Sequence, residues 1–252
     1  MSGHSHWAGI KHKKGAADAK RGRLFSKLAK QITIAARHGG GDPAMNLSLR
    51  YAIDKAKAAN MPKDNIERAV KKGTGEIEGA VLEEVRYEGY APAGVAVMLE
   101  VLTDNRNRTS AEIRKIFEKS GGNMGTANCV SFLFENKGLL TVRTDAIDED
   151  TLMEVALESG AENFEKSGDL YEITTTPANF DKVKAALEAK KIPLETSEIS
   201  FLPTTKITLT ENEAKKVLNM IDQLEEQEDV QNVYSNYDIP DEIFTKLAAA
   251  IE

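Results

Sequence analysis

A run of groups suited to nucleic acid opens the chain. Within Gly3-His4-Ser5-His6-Trp7-Ala8-Gly9-Ile10-Lys11-His12-Lys13-Lys14, the lysines can neutralise phosphates, and the Ser and His side chains can donate hydrogen bonds to phosphate oxygens. Trp7 offers a face on which a base can stack. The competing reading makes this stretch an arm that Trp7 and Ile10 staple to a helical bundle, with the lysines in solvent. Charge at this density usually meets something acidic, so the contact reading is preferred, and a Trp held by the bundle is compatible with it. A metal site is not expected from His4, His6 and His12, because no Cys pair or carboxylate accompanies them at ligand spacing.

A second candidate is Leu102-Thr103-Asp104-Asn105-Arg106-Asn107-Arg108-Thr109, a polar turn between a strand and a helix. Asp104, Asn105 or Asn107 can cap that helix while the arginines sit on the surface. Alternatively, Arg106 and Arg108 stand beside a helix N-terminus, where backbone N–H groups also favour phosphate. Gly121-Gly122-Asn123-Met124-Gly125 lacks the Lys-Ser/Thr and the helix that a nucleotide-binding loop requires, so it reads as a tight turn. Cys129 is the single cysteine. It cannot form an internal disulfide and has no histidine within its own region, so neither a disulfide framework nor a catalytic thiol is expected. Glu83-Glu84, Asp148-Glu149-Asp150 and Glu225-Glu226 read as solvated charges. No nucleophile, acid/base pair or cofactor motif emerges, and the chain is expected not to be an enzyme and to need no cofactor.

The elements that must position these groups divide sharply by charge. Of 33 Lys/Arg and 40 Asp/Glu in 252 residues, residues 1–75 hold 16 and 5, a net +11, which leaves −18 on the remainder. A basic third in an acidic protein is an electrostatic footprint for a polyanion. From Ala16 to Arg37, Leu24, Leu28, Ile32 and Ala35, with Phe25 beside them, mark one apolar helix face, and Lys20, Arg21, Arg23, Lys27 and Lys30 make the other face basic. His38-Gly39-Gly40-Gly41 ends that helix. Helices over Asn46–Ala59 and Lys63–Lys72 complete a small bundle.

After Gly79 the pattern turns β-branched and alternating, with strands at Val81–Tyr90 and Val95–Thr103, a helix at Arg108–Lys119 and a strand at Val130–Glu135. Strand Leu139–Arg143, helix Asp148–Ser159, strands Glu162–Lys166 and Leu170–Thr174, helix Ala178–Lys190 and strand Leu194–Phe201 then give βαββαβ, a complete ferredoxin-like unit. The tail follows as strand Lys206–Leu209, helix Asn212–Glu226, strand Val230–Asn236 and helix Asp241–Ala250. Because residues 136–203 close a unit, the tail is expected to pair back, giving a basic helical domain 1–79, a discontinuous α+β domain 80–135 with 204–252, and an inserted ferredoxin-like domain 136–203. A separate C-terminal domain is the competing division. Apolar runs are far shorter than the roughly 18 residues of a membrane span, and no secretory signal is seen, so the cytoplasm is expected.

Several motifs in fixed order, Gly3-His4-Ser5-His6-Trp7, Ile10 to Lys14, Asp18 to Lys27, Asn60-Met61-Pro62-Lys63-Asp64-Asn65-Ile66, Tyr87-Glu88-Gly89-Tyr90, Thr103 to Thr109 and Asp229 to Tyr234, resemble the YebC/PmpR family over essentially the whole chain. The mitochondrial branch of that family includes a translational activator of cytochrome c oxidase; lacking a transit peptide, this chain is similar to the bacterial type. The resemblance implies an N-terminal helical bundle and two α+β domains around a central cleft. It implies two functional traditions: probable transcriptional regulators that bind promoter DNA, and ribosome-associated factors that help translation through proline-rich stretches. Both require nucleic-acid contact, and the lysines and arginines of residues 11–30 carry over as candidates. The first helix exposes Lys, Arg, Ala and Gly, which suit the phosphate backbone better than base edges, so ribosomal or transfer RNA is preferred over promoter DNA. Ribosomal proteins are further candidate partners, a monomer is the expected state, and a protein-interaction scaffold is the third reading.

Overall fold

The structure is a computed structural model that describes residues 17–249, with side chains over 21–240 and 242–247. Helices α1 (Ala17–Gly39), α2 (Leu47–Ala58) and α3 (Lys63–Thr74) form the N-terminal bundle. Leu28, Ile32 and Ala36 of α1 pack with Leu49, Ile53 and Ala56 of α2 and with Met61, Ile66 and Ala69. The expected apolar face of α1 differs at one end: Leu24 is 43% exposed, and the buried stripe continues through Ala36 instead. One buried side chain fastens two helices. Asn46 accepts from Leu49 N–H as the N-cap of α2 and donates from Nδ2 to the carbonyls of Ala35 and Gly40, each at 2.8 Å, closing the C-terminus of α1. Helix α3 crosses α1 so closely that a Cβ on Gly73 would lie 2.4 Å from the Thr33 carbonyl.

Strands β1 (Glu83–Tyr90), β2 (Ala96–Thr103), β3 (Asn123–Met124) and β9 (Val230–Ser235) form an antiparallel sheet in the order β3-β1-β2-β9. Helix α4 (Arg106–Lys119) lies between β2 and β3, and α7 (Glu211–Glu226) precedes β9. Val97, Leu99 and Val101 of β2 meet Ile113 and Phe117 of α4 and Val217, Ile221 and Leu224 of α7. The opposite face of β2 is also buried, because Ala96 and Met98 pack with Val130, Phe134 and Tyr234. That double burial explains the nearly continuous apolar run of the strand.

The second sheet contains β4 (Phe134–Arg143), β5 (Asn163–Ser167), β6 (Leu170–Thr175) and β7 (Thr196–Pro203), ordered β5-β6-β4-β7, with α5 (Glu149–Ser159) and α6 (Phe180–Ala189). All three pairings are antiparallel. Leu140, Val142, Tyr171 and Ile173 pack with Leu152 and Ala156 of α5 and Val183 and Leu187 of α6, so both helices cover one face, the ferredoxin-like arrangement. A two-stranded parallel pair, β8 (Ile207–Thr208) with β10 (Tyr237–Asp238), and α8 (Asp241–Ala249) complete the described chain. The fold is therefore a helical bundle with α+β units, one ferredoxin-like. None of its described helices is long and apolar enough to cross a membrane.

Two strands expected at Val130–Glu135 and Leu139–Arg143 are one strand that starts at Phe134. Asn136-Lys137-Gly138 resembles a turn in the sequence, but Gly138 is in mid-strand: a Cβ there would lie 2.3 Å from Thr175 Oγ1 and 2.6 Å from the Phe180 ring. Val130 and Ser131 are withheld from the strand because their N–H groups, at 2.8 and 2.9 Å, and that of Asn128 donate to the buried Glu88 carboxylate. Asn46→Ala would remove the α2 cap and orphan two carbonyls at the end of α1. A loss of about 2 kcal/mol is expected, read as a lower urea midpoint at an unchanged denaturant slope.

Candidate nucleic-acid interface

The predicted contact residues fall into three groups. His4, His6, Trp7, Lys11, His12, Lys13 and Lys14 lie outside the described residues, and Lys20 lies on α1 with its side chain outside them. Arg21 and Arg106 are exposed and Arg23 is partly exposed, and none of the three forms an ion pair with a described carboxylate. Lys27, Lys30 and Arg108 are engaged within the protein.

Those engaged cations converge on the segment between α7 and β9. Lys27 Nζ donates to the Glu225 carbonyl at 2.5 Å, near the C-terminus of α7, where a cation complements the helix dipole. Lys30 Nζ lies 2.6 Å from Asp229 Oδ1. The other oxygen, Oδ2, accepts from Thr109 Oγ1 at 2.5 Å, Arg108 Nη2 at 3.1 Å and Thr103 Oγ1 at 3.2 Å. Arg108 also pairs with Asp104 at 3.0 Å. Asn105 supplies the α4 N-cap, accepting from Arg108 N–H. Asp229 is 3% exposed. Burial raises its pKa, but hydrogen bonds from Lys30, Thr109 and Arg108 outweigh that effect and hold the carboxyl down at about 2. One carboxylate thus ties α1 to α4 and to the edge strand of the first sheet.

Further contacts seat the bundle. Arg37 donates to the Leu82 carbonyl at 2.7 Å and His38 lies 3.1 Å from Glu84. Tyr51 of α2 donates to Asp181 of α6 at 2.5 Å, and Lys55 lies 4.0 Å from Glu198 of β7. Arg50, Arg68, Lys71 and Lys72 are exposed and pair with no described carboxylate, Arg50 lying 5.9 Å from the centre of the Tyr51 ring. Sequence reasoning missed this set. Its signal was present on α3: positions 68, 71 and 72 have the i, i+3, i+4 spacing that puts three charges on one helix face. Asp229 carried no comparable signal, because an acidic residue in an acidic tail gives no sign of burial.

Cys129 is half-buried in the turn before β4. Burial, reinforced by the Glu88 carboxylate, pushes its thiol pKa up, which disfavours the nucleophilic thiolate.

Asp229 has an acid signature. Its ordinary pKa of 3.8 falls to about 2 on folding, so it contributes about 2 kcal/mol that is fully present above its unfolded pKa. That contribution disappears as pH falls through the folded value. Asp229→Asn is expected to cost about 3 kcal/mol at neutral pH, by leaving Lys30 and Arg108 without their shared partner. The stability gap between wild type and variant should narrow between pH 4 and 2. Urea titrations across that window check this, and a constant gap would remove Asp229 as the titrating tie.

Residues 5–76 match the TACO1/YebC protein N-terminal domain, and residues 82–237 match the TACO1/YebC second and third domain. A probable transcriptional regulatory protein of Desulforapulum autotrophicum is 56% identical over 97% of this chain and 99% of its own length. One from Treponema pallidum is 57% identical over 96% of this chain and 99% of its own. Among solved structures, a conserved hypothetical protein, Aq1575, from Aquifex aeolicus superposes with a TM-score of 0.82 at 50% identity, covering 93% of this chain and 97% of that one. With both matches in chain order and relatives aligned end to end, this chain belongs to the TACO1/YebC family.

Proposed function

We propose that this regulator of gene expression works without catalysis, by gripping nucleic acid through its basic bundle and N-terminal segment, and that its partner is ribosomal or transfer RNA. Help for translation through proline-rich stretches is the process this reading assigns to it. The observation that carries it is the outward set of cations: Arg21, Arg50, Arg68, Lys71, Lys72 and Arg106 are exposed and engage no described carboxylate, although Asp and Glu outnumber Lys and Arg by 35 to 17 beyond residue 75. In an acidic protein, cations left unpaired in solvent are available for phosphate. These side chains suit contact with the phosphate backbone. Lys27, Lys30 and Arg108 serve this reading as positioning residues that seat the bundle. Within it, 1–79 is the nucleic-acid-binding domain, 80–135 with 204–252 is the discontinuous domain that holds Asp229, and 136–203 is the inserted domain.

Promoter DNA is the second reading, favoured by the transcriptional wording of the relatives' names. Co-sedimentation with ribosomes at physiological salt, with excess duplex DNA as competitor, separates the two. Binding that resists DNA supports the RNA reading, and binding lost to DNA supports the transcriptional one. Two triple variants, Lys11/Lys13/Lys14→Ala and Arg68/Lys71/Lys72→Ala, should each weaken binding and lower the slope of log affinity against log salt by up to about three. Unchanged slopes in both would place the contact surface elsewhere. Exposed substitutions of this kind should leave stability within about 0.5 kcal/mol per site.

A further inference from the structure

We propose that the open face of the β5-β6-β4-β7 sheet is a docking surface for the basic segment of residues 1–16 of the same chain. Both helices of that unit pack on one side, against Leu140, Val142, Tyr171 and Ile173. Strand register puts Leu139, Thr141, Glu165, Glu172 and Glu198 together on the other side, since Leu139 is paired with Glu198, Thr141 with Glu172, and Glu172 with Glu165. Despite having no helix of its own, this face is buried at its centre: Leu139 is 1%, Thr141 0% and Glu172 5% exposed. Leu139 stands outside all four apolar clusters of described residues. Glu172 Oε1 and Thr141 Oγ1 are buried without a hydrogen-bond partner. A buried carboxylate oxygen and a hydroxyl left unpaired are costly unless something donates to them.

Residues 1–16 have the matching chemistry. They carry Lys11, Lys13, Lys14 and three histidines, contain no Asp or Glu, and include apolar Trp7 and Ile10. Cations at the rim of the face are already engaged: Lys137 with Glu162 at 2.9 Å, Arg143 with Asp145 at 3.0 Å, and Lys55 of the bundle with Glu198 at 4.0 Å. Glu165 and Glu172 are left without an ion pair to a described residue beside an apolar centre, and burial raises the Glu172 pKa, an effect that the nearby Lys206 charge offsets only in part. Reach is no obstacle. The bundle that continues from the segment already meets this unit through Tyr51 and Asp181 and through Lys55 and Glu198, and sixteen residues extend to about 50 Å. Docking does not depend on the nucleic-acid reading. If both hold, phosphates and these carboxylates compete for the same lysines.

Trp7 is the only tryptophan, so its fluorescence in the intact protein reports on the segment without a label. Acrylamide quenching is compared between wild type and Glu165→Lys/Glu198→Lys, two exposed positions, with circular dichroism to establish that both are folded; Glu165→Gln/Glu198→Gln serves if the reversal does not fold. At about 0.01 M ionic strength, where charges act over about 30 Å, Trp7 of the wild type should be shielded and that of the variant accessible. At about 1 M, where the range is about 3 Å, the wild type should approach the variant. Equal quenching at low salt, whether Trp7 is shielded in both or open in both, would overturn the proposal. Ribosome binding by the same variants is read separately: a Trp7 response with unchanged binding would keep the docking and count against the segment as a nucleic-acid contact.

Discussion

Asp229 immediately precedes β9 with almost no exposed surface, and each of its carboxylate oxygens is occupied. A carboxylate desolvated to that degree is stable only where cations and hydroxyls surround it. Here the cations come from two different elements, Lys30 from the bundle and Arg108 from α4, while Thr103 and Thr109 fill the remaining lone-pair positions. Its backbone is held as well, because Leu102 N–H donates to its carbonyl at 2.9 Å and its own N–H donates to Gln227 Oε1 at 2.6 Å. The ion pair therefore cannot drift to suit the bundle. The bundle must come to it, and the orientation of every exposed cation on α1, α2 and α3 follows from where Lys30 lands.

This constraint divides the basic charge of the N-terminal third by role. Cations along the inner side of α1 seat the bundle against the first sheet and α7, and Tyr51 and Lys55 of α2 seat it against α6 and β7. Cations of α3 and the outward side of α1 are turned to solvent. A flexible basic tail could bind a polyanion without any of this. A rigid mount fixes which phosphates can be met together, which is how backbone contacts set register and orientation even though they carry no sequence information.

The sequence revealed local order and concealed tertiary exceptions. Helices α1 to α3 were legible because each has an apolar stripe at helical spacing and a Gly or Asn at its ends, and the ferredoxin-like unit because period-2 and period-3.6 segments alternate in the required order. Leu24, an apolar residue on the expected face, is exposed because the α1 stripe turns toward Ala36. The break expected between Glu135 and Leu139 is mid-strand, where the missing side chain of Gly138 makes room for Phe180. Val130 looked like strand until the Glu88 carboxylate claimed its N–H. Among candidate contacts, residue type identified cations but could not separate Lys30, held by a carboxylate 199 positions away, from Arg21, which faces solvent. That distinction is made by packing alone.

The acidic excess of the remaining chain then has a physical role beyond solubility. An anionic body repels the phosphate backbone from every surface except the one where cations are concentrated, so it narrows the orientations in which a polyanion can approach. The same excess draws any basic segment of the chain toward the body, with a strength that falls as salt rises. A protein with +11 in its first 75 residues and −18 in the rest therefore sets its own carboxylates in competition with its target's phosphates. Asp229 wins that competition permanently for Lys30, because its site is buried and its geometry is fixed. Carboxylates at the surface hold cations only until a denser array of negative charge arrives, and nucleic acid is such an array.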